Sequence, residues 1–258
     1  MTDYRKTATE ARKKVLRMIY QAQGSHIGSN FSCIDLLSVL FEKMDLEKDK
    51  FILSKGWAAA SIYYFLAEKG IIPKEDLERY CRPGEEEYIG LIEPRGKFGL
   101  EFAGGSMGYG LPAGVGFALS KKLKGEEGKI HVVMSDGEMQ IGTTWESILI
   151  AKQHNLSNLI VWVDNNRLQA MGRTKDILNI EPLDERVKSF GWAVQRIDGH
   201  NFEEIESALE STSGSSPNMI ICDTIKGKGV SFMENNNLWH YAIIKQDDYE
   251  KALSELNA

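Results

Sequence analysis

The sequence holds few cysteines, and they are scattered. Cys33, Cys81 and Cys222 are odd in number and lack CxxC spacing, which argues against a disulfide framework or a cysteine-rich zinc site. Two of them lie in apolar segments, where a reduced, buried thiol is the expected state. Basic blocks are lacking as well. The 31 Lys and Arg stand against 37 Asp and Glu, a formal net charge of −6. The lysines are spread along expected helix faces, so no nucleic-acid footprint is indicated. No apolar run approaches the ~20 residues that would span a bilayer. The opening MTDYRKTATEARKK is polar from the start and does not read as a secretory leader. These absences predict a soluble protein of a reducing, cytoplasmic compartment. With 258 residues, 42% of them hydrophobic, and no visible repeat or linker, residues 1–258 read as a single domain.

What is present is an α/β rhythm. Residues 3–23 carry Val15, Leu16, Ile19 and Ala22 at helical spacing. A small, glycine-flanked turn, Gly24 to Asn30, contains His26. A second helix is expected from near Ser32, with Asp35 three residues on as a capping-box partner. Apolar strands are expected at 51–54, 130–134, 159–163, 192–197 and 219–223, with helices at 58–69, 143–155, 183–190 and 202–210. Residues 71–100, with Pro73, Pro83 and Pro94, read as a short helix at 74–80 and a long surface excursion. The glycine run Gly104 to Gly110 precedes a helix with small residues at Ala113, Gly114, Gly116 and Ala118. This face is fit for close packing on a strand or on a second protein chain.

The stretch from Met134 to Gly172 organises the rest. It reads as strand, turn, helix, strand and turn. In such a unit the strands are parallel and both turns emerge on one sheet edge, where open α/β sheets bind ligands. Asp136 leaves the first strand and Asp164-Asn165-Asn166 the second, so Asp136 and Asn166 are expected to be neighbours. A carboxylate, an amide oxygen and backbone carbonyls are hard ligands suited to Mg²⁺ or Ca²⁺, particularly a metal that also holds a diphosphate. Thr143-x-x-Glu146 reads as a capping box, which gives Glu146 a structural role before any chemical one. The glycine run does not fit GxGxxG and no apolar strand immediately precedes it, so a nicotinamide dehydrogenase is poorly supported. Lys226 and Lys228 between glycines, and His240 after Asn236-Asn237-Leu238-Trp239, have ordinary solvated readings when taken alone.

Taken together the segments resemble transketolase. Asp136-Gly137 followed by Asn165-Asn166 resembles the thiamine-diphosphate motif GDG…NN, with Ser135 in place of the first glycine. SHIGSNFSCIDLLSVLF, FILSKG, GGSMGYGLPAGVGFAL and IKGKGVSFMENN…WH follow the same family in the same order. The match is to the N-terminal, diphosphate-binding half, as in bacterial transketolases split into two subunits. The resemblance implies a three-layer α/β sandwich with a mainly parallel central sheet. It also implies thiamine diphosphate and Mg²⁺ (or Ca²⁺) as cofactors, with Asp136, Asn166 and the Leu168 carbonyl as metal ligands. Asp136, Gly137, Glu138, Asn166 and Lys226 would meet the diphosphate end, and Gly105 and Met107 the thiamine rings. His26, His240 and Glu146 would carry catalysis. The activating glutamate would come from a pyrimidine-binding domain on a C-terminal partner subunit, in an α2β2 assembly. The substrates would be small sugars, with a two-carbon ketol unit passing from a ketose phosphate to an aldehyde.

The departures from the family pattern bear on the substrate. The family's SKGH reads Ser54-Lys55-Gly56-Trp57, a second family histidine has Glu93 as its nearest candidate, and a family acid is Ile141. These changes open a second reading, a modified or branched sugar or a 2-oxo acid as donor. A third reading, a non-catalytic homologue, is opposed by the intact Asp136 and Asn166.

Overall fold

The computed structural model describes residues 3–258. Helices α1 (Tyr4–Gln21), α2 (Ile27–Ser32) and α3 (Ile34–Lys43) lead into β1 (Lys50–Leu53) and α4 (Ala59–Glu68). A long segment with a 3-10 turn at Lys74–Arg79 precedes α5 (Gly110–Lys124) and β2 (Ile130–Ser135). After a 3-10 turn at Asp136–Gln140 come α6 (Gly142–Gln153) and β3 (Leu159–Asn165). Next are the hairpin strands β4 (Leu168–Gln169) and β5 (Gly172–Arg173), then α7 (Thr174–Ile177), α8 (Leu183–Ser189) and β6 (Ala193–Asp198). The chain closes with α9 (Phe202–Glu210), β7 (Asn218–Asp223), a 3-10 turn at Asn237–His240 and α10 (Gln246–Asn257). Among the described residues no helix is long and apolar enough to cross a membrane.

The main sheet has the order β1-β2-β3-β7-β6, and every pair in it is parallel. Parallel neighbours need crossovers, and the helices between strands supply them. Side chains alternate along each strand, so the sheet feeds two cores. Phe51, Leu53, Val133, Trp162, Ile220 and Cys222 face a layer built from α1, α3, α4 and α9. Ile52, Val132, Val161, Val163 and Ile221 face α5, α6 and α8. The outcome is the expected three-layer sandwich. Within the small-residue face of α5, Gly114 meets the sheet: a Cβ there would lie 2.5 Å from Val132 Cγ2, whereas Gly116 faces open space.

Four local expectations give way. The turn at 24–30 is largely helix, because α2 begins at Ile27. Ser32 and Asp35 form no capping box at the start of α3, whose N-cap is Cys33. Ser32 Oγ instead donates to Asp164 Oδ2 at 2.6 Å, and Asp35 is taken by Arg12. Nor do Thr143 and Glu146 cap α6, which starts a residue earlier at Gly142. Thr143 Oγ1 donates to the Gly108 carbonyl at 2.8 Å, and Glu146 lies exposed. The 71–100 excursion also dips inward, burying Tyr80, Tyr88, Ile92 and Leu100 against the core.

Asp35 anchors the helical layer to the sheet. It accepts both Arg12 guanidinium nitrogens at 2.8 Å, while Arg12 Nε donates to the Lys228 carbonyl at 2.9 Å. His200 Nε2 accepts the Ile225 N–H at 2.8 Å, so its proton sits on Nδ1, 2.7 Å from Asp35 Oδ2. One buried carboxylate thereby joins α1, α3 and the loops after β6 and β7. Burial opposes the charge, but the His200 hydrogen bond and Arg12 outweigh it and hold the Asp35 carboxyl down at about 2. Asp35→Ala leaves the Arg12 charge buried and unpaired, a loss of about 3–5 kcal/mol, to be read from urea unfolding. Because the folded pKa is depressed, the contribution is complete above the ordinary carboxylate range near 4. It fades as the pH falls toward about 2, and the mutant's acid-unfolding curve should lack that component.

Candidate functional site

The carboxyl ends of β1, β2, β3 and β7 meet around a buried ion pair. Asp164, at the end of β3 and fully buried, contacts Lys55 from the turn after β1 and Thr224 Oγ1 from the end of β7. Ser32 Oγ adds a hydrogen bond from α2, and Lys55 Nζ donates to the Ser29 carbonyl at 2.8 Å. Burial alone would protonate Asp164, but the Lys55 charge and these hydroxyls hold its pKa below the usual range. Lys55, despite the same desolvation, is held above its usual value by the Asp164 charge.

Asp136 sits on the same edge in the opposite electrostatic condition. It is 1% exposed, and burial pushes its carboxyl up to about 6, with Asp164 adding to the rise against the Thr174 hydrogen bond. Its oxygens accept only from Thr174 Oγ1 at 2.6 Å and the Gly137 N–H at 3.0 Å, and no side-chain cation among the described residues lies within 4 Å. Asn166 turns its amide nitrogen toward Asp164 and Ser32, both at 3.4 Å, and its oxygen toward the Leu168 N–H at 3.1 Å. Asp136, Asn166 and Leu168 line one cavity. A carboxylate without a counter-ion, an amide oxygen and a carbonyl fit a hard divalent cation. No group of three His, Cys, Asp or Glu able to hold a metal occurs among the described residues.

The glycine run forms the next wall. Gly56 and Gly104 touch backbone to backbone: a Cβ on Gly56 would collide with the Gly104 carbonyl carbon and the Gly105 nitrogen. Glu138, expected among the cofactor contacts, does not line the cavity. Its buried carboxylate contacts Ser54 Oγ and accepts the N–H groups of Gly108 at 3.0 Å and Ser135 at 2.8 Å. It is a clamp that holds the glycine run against the turn after β1, and burial raises its pKa.

His26 and His240 face each other with ring centroids 4.9 Å apart. Burial, then the Lys226 charge, lowers His26 to about 4 and His240 to about 3, so both are neutral at physiological pH. Ser25 Oγ lies 2.7 Å from His26 Nδ1. Lys226, fully buried, lies 2.6 Å from His240 Nδ1 and donates to the Leu168 carbonyl at 3.3 Å; burial, then the Lys55 charge, lowers its pKa to about 8.

His26, Gly105, Met107, Asp136, Asn166 and His240 thus line one cavity of about 790 Å³, together with Gly137 and Leu168. Trp57 and Ile141 line it too. Glu146 and Glu93 are exposed and do not. Missed in the sequence were Lys55, Asp164, Thr224 and Ser32. The one available signal was an acid ending an otherwise apolar strand run, LIVWVD, with a lysine just after another, FILSK.

Residues 4–257 match the profile described as transketolase, thiamine diphosphate binding domain. The chain belongs to the transketolase family. It is 37% identical to one of the subunits of the apulose-4-phosphate transketolase of Actinobacillus succinogenes, over 95% of this chain and 92% of that one. It is 35% identical to the 6-deoxy-6-sulfo-D-fructose transketolase subunit SqwG of a Clostridium species, over 98% and 96%. Campylobacter jejuni transketolase superposes with a TM-score of 0.90 at 27% identity, covering all of this chain and 43% of the other. The chain therefore spans the length of the named subunits but well under half of that solved transketolase.

Within this family architecture the Glu138 clamp is directly testable. Glu138→Ala strands the buried Gly108 and Ser135 N–H groups and the Ser54 hydroxyl, each worth about 1–3 kcal/mol. The expected result is a stability loss of about 3 kcal/mol or more by denaturant titration, with faster hydrogen exchange at Gly108. Glu138→Gln, which keeps an acceptor, should lose less.

Proposed function

We propose that the chain is the diphosphate-binding subunit of a two-chain ketol transferase that uses thiamine diphosphate and Mg²⁺ (or Ca²⁺). The observation that carries this reading is the gathering of His26, Gly105, Met107, Asp136, Asn166 and His240 around one cavity. When bound, thiamine diphosphate supplies the carbanion-stabilising chemistry by which a two-carbon unit leaves a ketose for an aldehyde. The chain's own residues hold and orient. Asp136, Asn166 and the Leu168 carbonyl take the metal, and Gly137, with no side chain, leaves room for the diphosphate. Lys226 brings a positive charge to the same end, and Gly105 and Met107 wall the rings. His240 Nδ1 accepts from Lys226, which leaves its Nε2–H to donate to an oxygen of the reacting sugar, and His26, with Nδ1 on Ser25 Oγ, has Nε2 free for one such hydrogen bond.

The partner in this reading is a C-terminal transketolase-like subunit with the pyrimidine-binding domain and the activating glutamate, in an α2β2 assembly. Two relatives are named as single subunits of an apulose-4-phosphate transketolase, and the cavity rim carries exposed Met107, Tyr109 and Tyr241, an apolar border of the kind partners cover. Glu146, exposed on α6, is available to that partner rather than to the cavity. The three unpaired cysteines fit a cytoplasmic site of action.

A modified sugar is the favoured donor. Trp57 and Ile141 line the cavity where the family carries a histidine and an acid, and two relatives are named for apulose 4-phosphate and 6-deoxy-6-sulfo-D-fructose. Calorimetry on the reconstituted pair should show Mg²⁺-dependent binding of thiamine diphosphate. Asp136→Ala should weaken it at least ~100-fold, beyond the range usual for the supporting partners of a metal ligand. Undiminished binding by that variant would sink the metal assignment, and turnover of a ketose by the chain alone would sink the two-chain reading. Cofactor bound without turnover of any ketose would leave a non-catalytic homologue.

A further inference from the structure

The chain has five tryptophans, and four of them donate their indole N–H to a protein acceptor. Trp145 donates to the Met139 carbonyl at 2.9 Å, Trp162 to His131 Nδ1 at 3.3 Å, Trp192 to the Ile148 carbonyl at 3.0 Å and Trp239 to the Phe232 carbonyl at 3.1 Å. The fifth, Trp57, has no acceptor among the described residues, is 45% exposed, and is the one that lines the site cavity. It is held all the same. Its indole stacks on His26 with centroids 4.6 Å apart and planes 10° from parallel, and its carbonyl accepts Asn30 Nδ2 at 3.2 Å. The Cε3–Cζ3 edge faces Gly90, where a Cβ would lie 3.6 Å from Cζ3. The N–H is on the opposite edge of the bicycle and so faces away from Gly90.

We infer that Trp57 is a specificity-determining residue for the donor sugar. Its N–H donates to an acceptor oxygen of the donor, and its exposed ring surface takes a carbon-rich face, as in a ketose branched or deoxygenated next to the reacting carbons. The inference rests on the ketol-transferase reading above. An indole can donate a hydrogen bond but cannot accept one. Met107 and Ile141, which line the same cavity, offer little or no hydrogen bonding either. A donor hydroxyl pressed against the indole itself loses water and gains no acceptor there, whereas C–H groups pack on the indole face. Differences of this kind correspond to roughly 10- to 200-fold in kcat/KM.

The test uses the reconstituted pair with thiamine diphosphate and Mg²⁺, and two donors: xylulose 5-phosphate and a ketose phosphate branched at C3. The expected wild-type ratio of kcat/KM favours the branched donor. Trp57→His, which restores an acceptor nitrogen and removes half the ring, should shift that ratio toward xylulose 5-phosphate by about tenfold or more. Trp57→Phe, which keeps a flat apolar face but loses the N–H, should retain the preference while lowering kcat/KM for the branched donor several-fold. Branched donor added without acceptor aldehyde should change the tryptophan emission of the wild type and not that of Trp57→Phe. The cofactor dissociation constant of each variant, by calorimetry, reports folding and cofactor loading independently of turnover. If both donors are turned over and Trp57→His leaves their ratio within twofold, this inference falls and the transferase reading stands. If the wild-type pair turns over neither donor, nor a deoxygenated ketose supplied in their place, the transferase reading falls and takes this inference with it.

Discussion

The ion pair of Lys55 and Asp164 is the constraint on which the functional edge depends. Two carboxylates, Asp136 and Asp164, are buried at the ends of adjacent strands, where neither would be ionised without help. Asp164 receives its help from within the chain, through Lys55, Ser32 and Thr224. Asp136 receives two hydrogen bonds and, among the described residues, no ion-pair partner within 4 Å, and burial raises its pKa. The pair ties the turn after β1, α2 and the ends of β3 and β7 into one body, and it leaves Asp136 outside that ion pair. Removing one partner of such a pair costs far more than the pair contributes over an apolar replacement, so its value is in register rather than stability.

Around this hub the cavity has walls of different character. One wall is backbone and hard oxygen: Asp136, Gly137, Asn166 and the Leu168 carbonyl, with Lys226 behind them. The other is apolar: Trp57, Met107 and Ile141. Glu138 joins the two, since it closes the turn after β2 on itself through Ser135 and pulls the glycine run against Ser54. A carboxylate in the motif thus contributes by holding the cradle, where direct contact with the bound group would be the simpler expectation.

Much of this was legible in the sequence. The five sheet strands and the helices α4, α8 and α9 follow from apolar runs and spacing, because parallel buried strands and amphipathic helices write their periods locally. The shared cavity of Asp136 and Asn166 follows from topology alone. Local capping grammar misled where a distant partner took the side chain. Ser32 is claimed by Asp164 and Asp35 by Arg12, and Thr143 by Gly108. Each of these is a long-range hydrogen bond, and spacing along the chain carries no information about it. For the same reason the Lys55–Asp164 hub, whose members lie 109 residues apart in the chain, leaves no mark in local spacing, and Glu138 reads as a cofactor contact although its carboxylate is taken up by Ser54, Gly108 and Ser135.

The position of Trp57 joins both arguments. It follows Lys55 by two residues, and Gly56 between them is wedged against Gly104 and Gly105. The backbone at 55–57 therefore cannot shift without disturbing the ion pair, the glycine run, or both. What remains free is the side chain at 57, which points into the cavity from a rigid base and meets His26 face to face. A cavity built this way can change one wall by exchanging one side chain while the edge at Asp136 and Asn166 keeps its geometry. Such a separation is expected where binding groups are carried on loops but braced by buried contacts behind them. It accounts for how the chain can keep Asp136 and Asn166 on one cavity and yet line that cavity with an indole and an isoleucine.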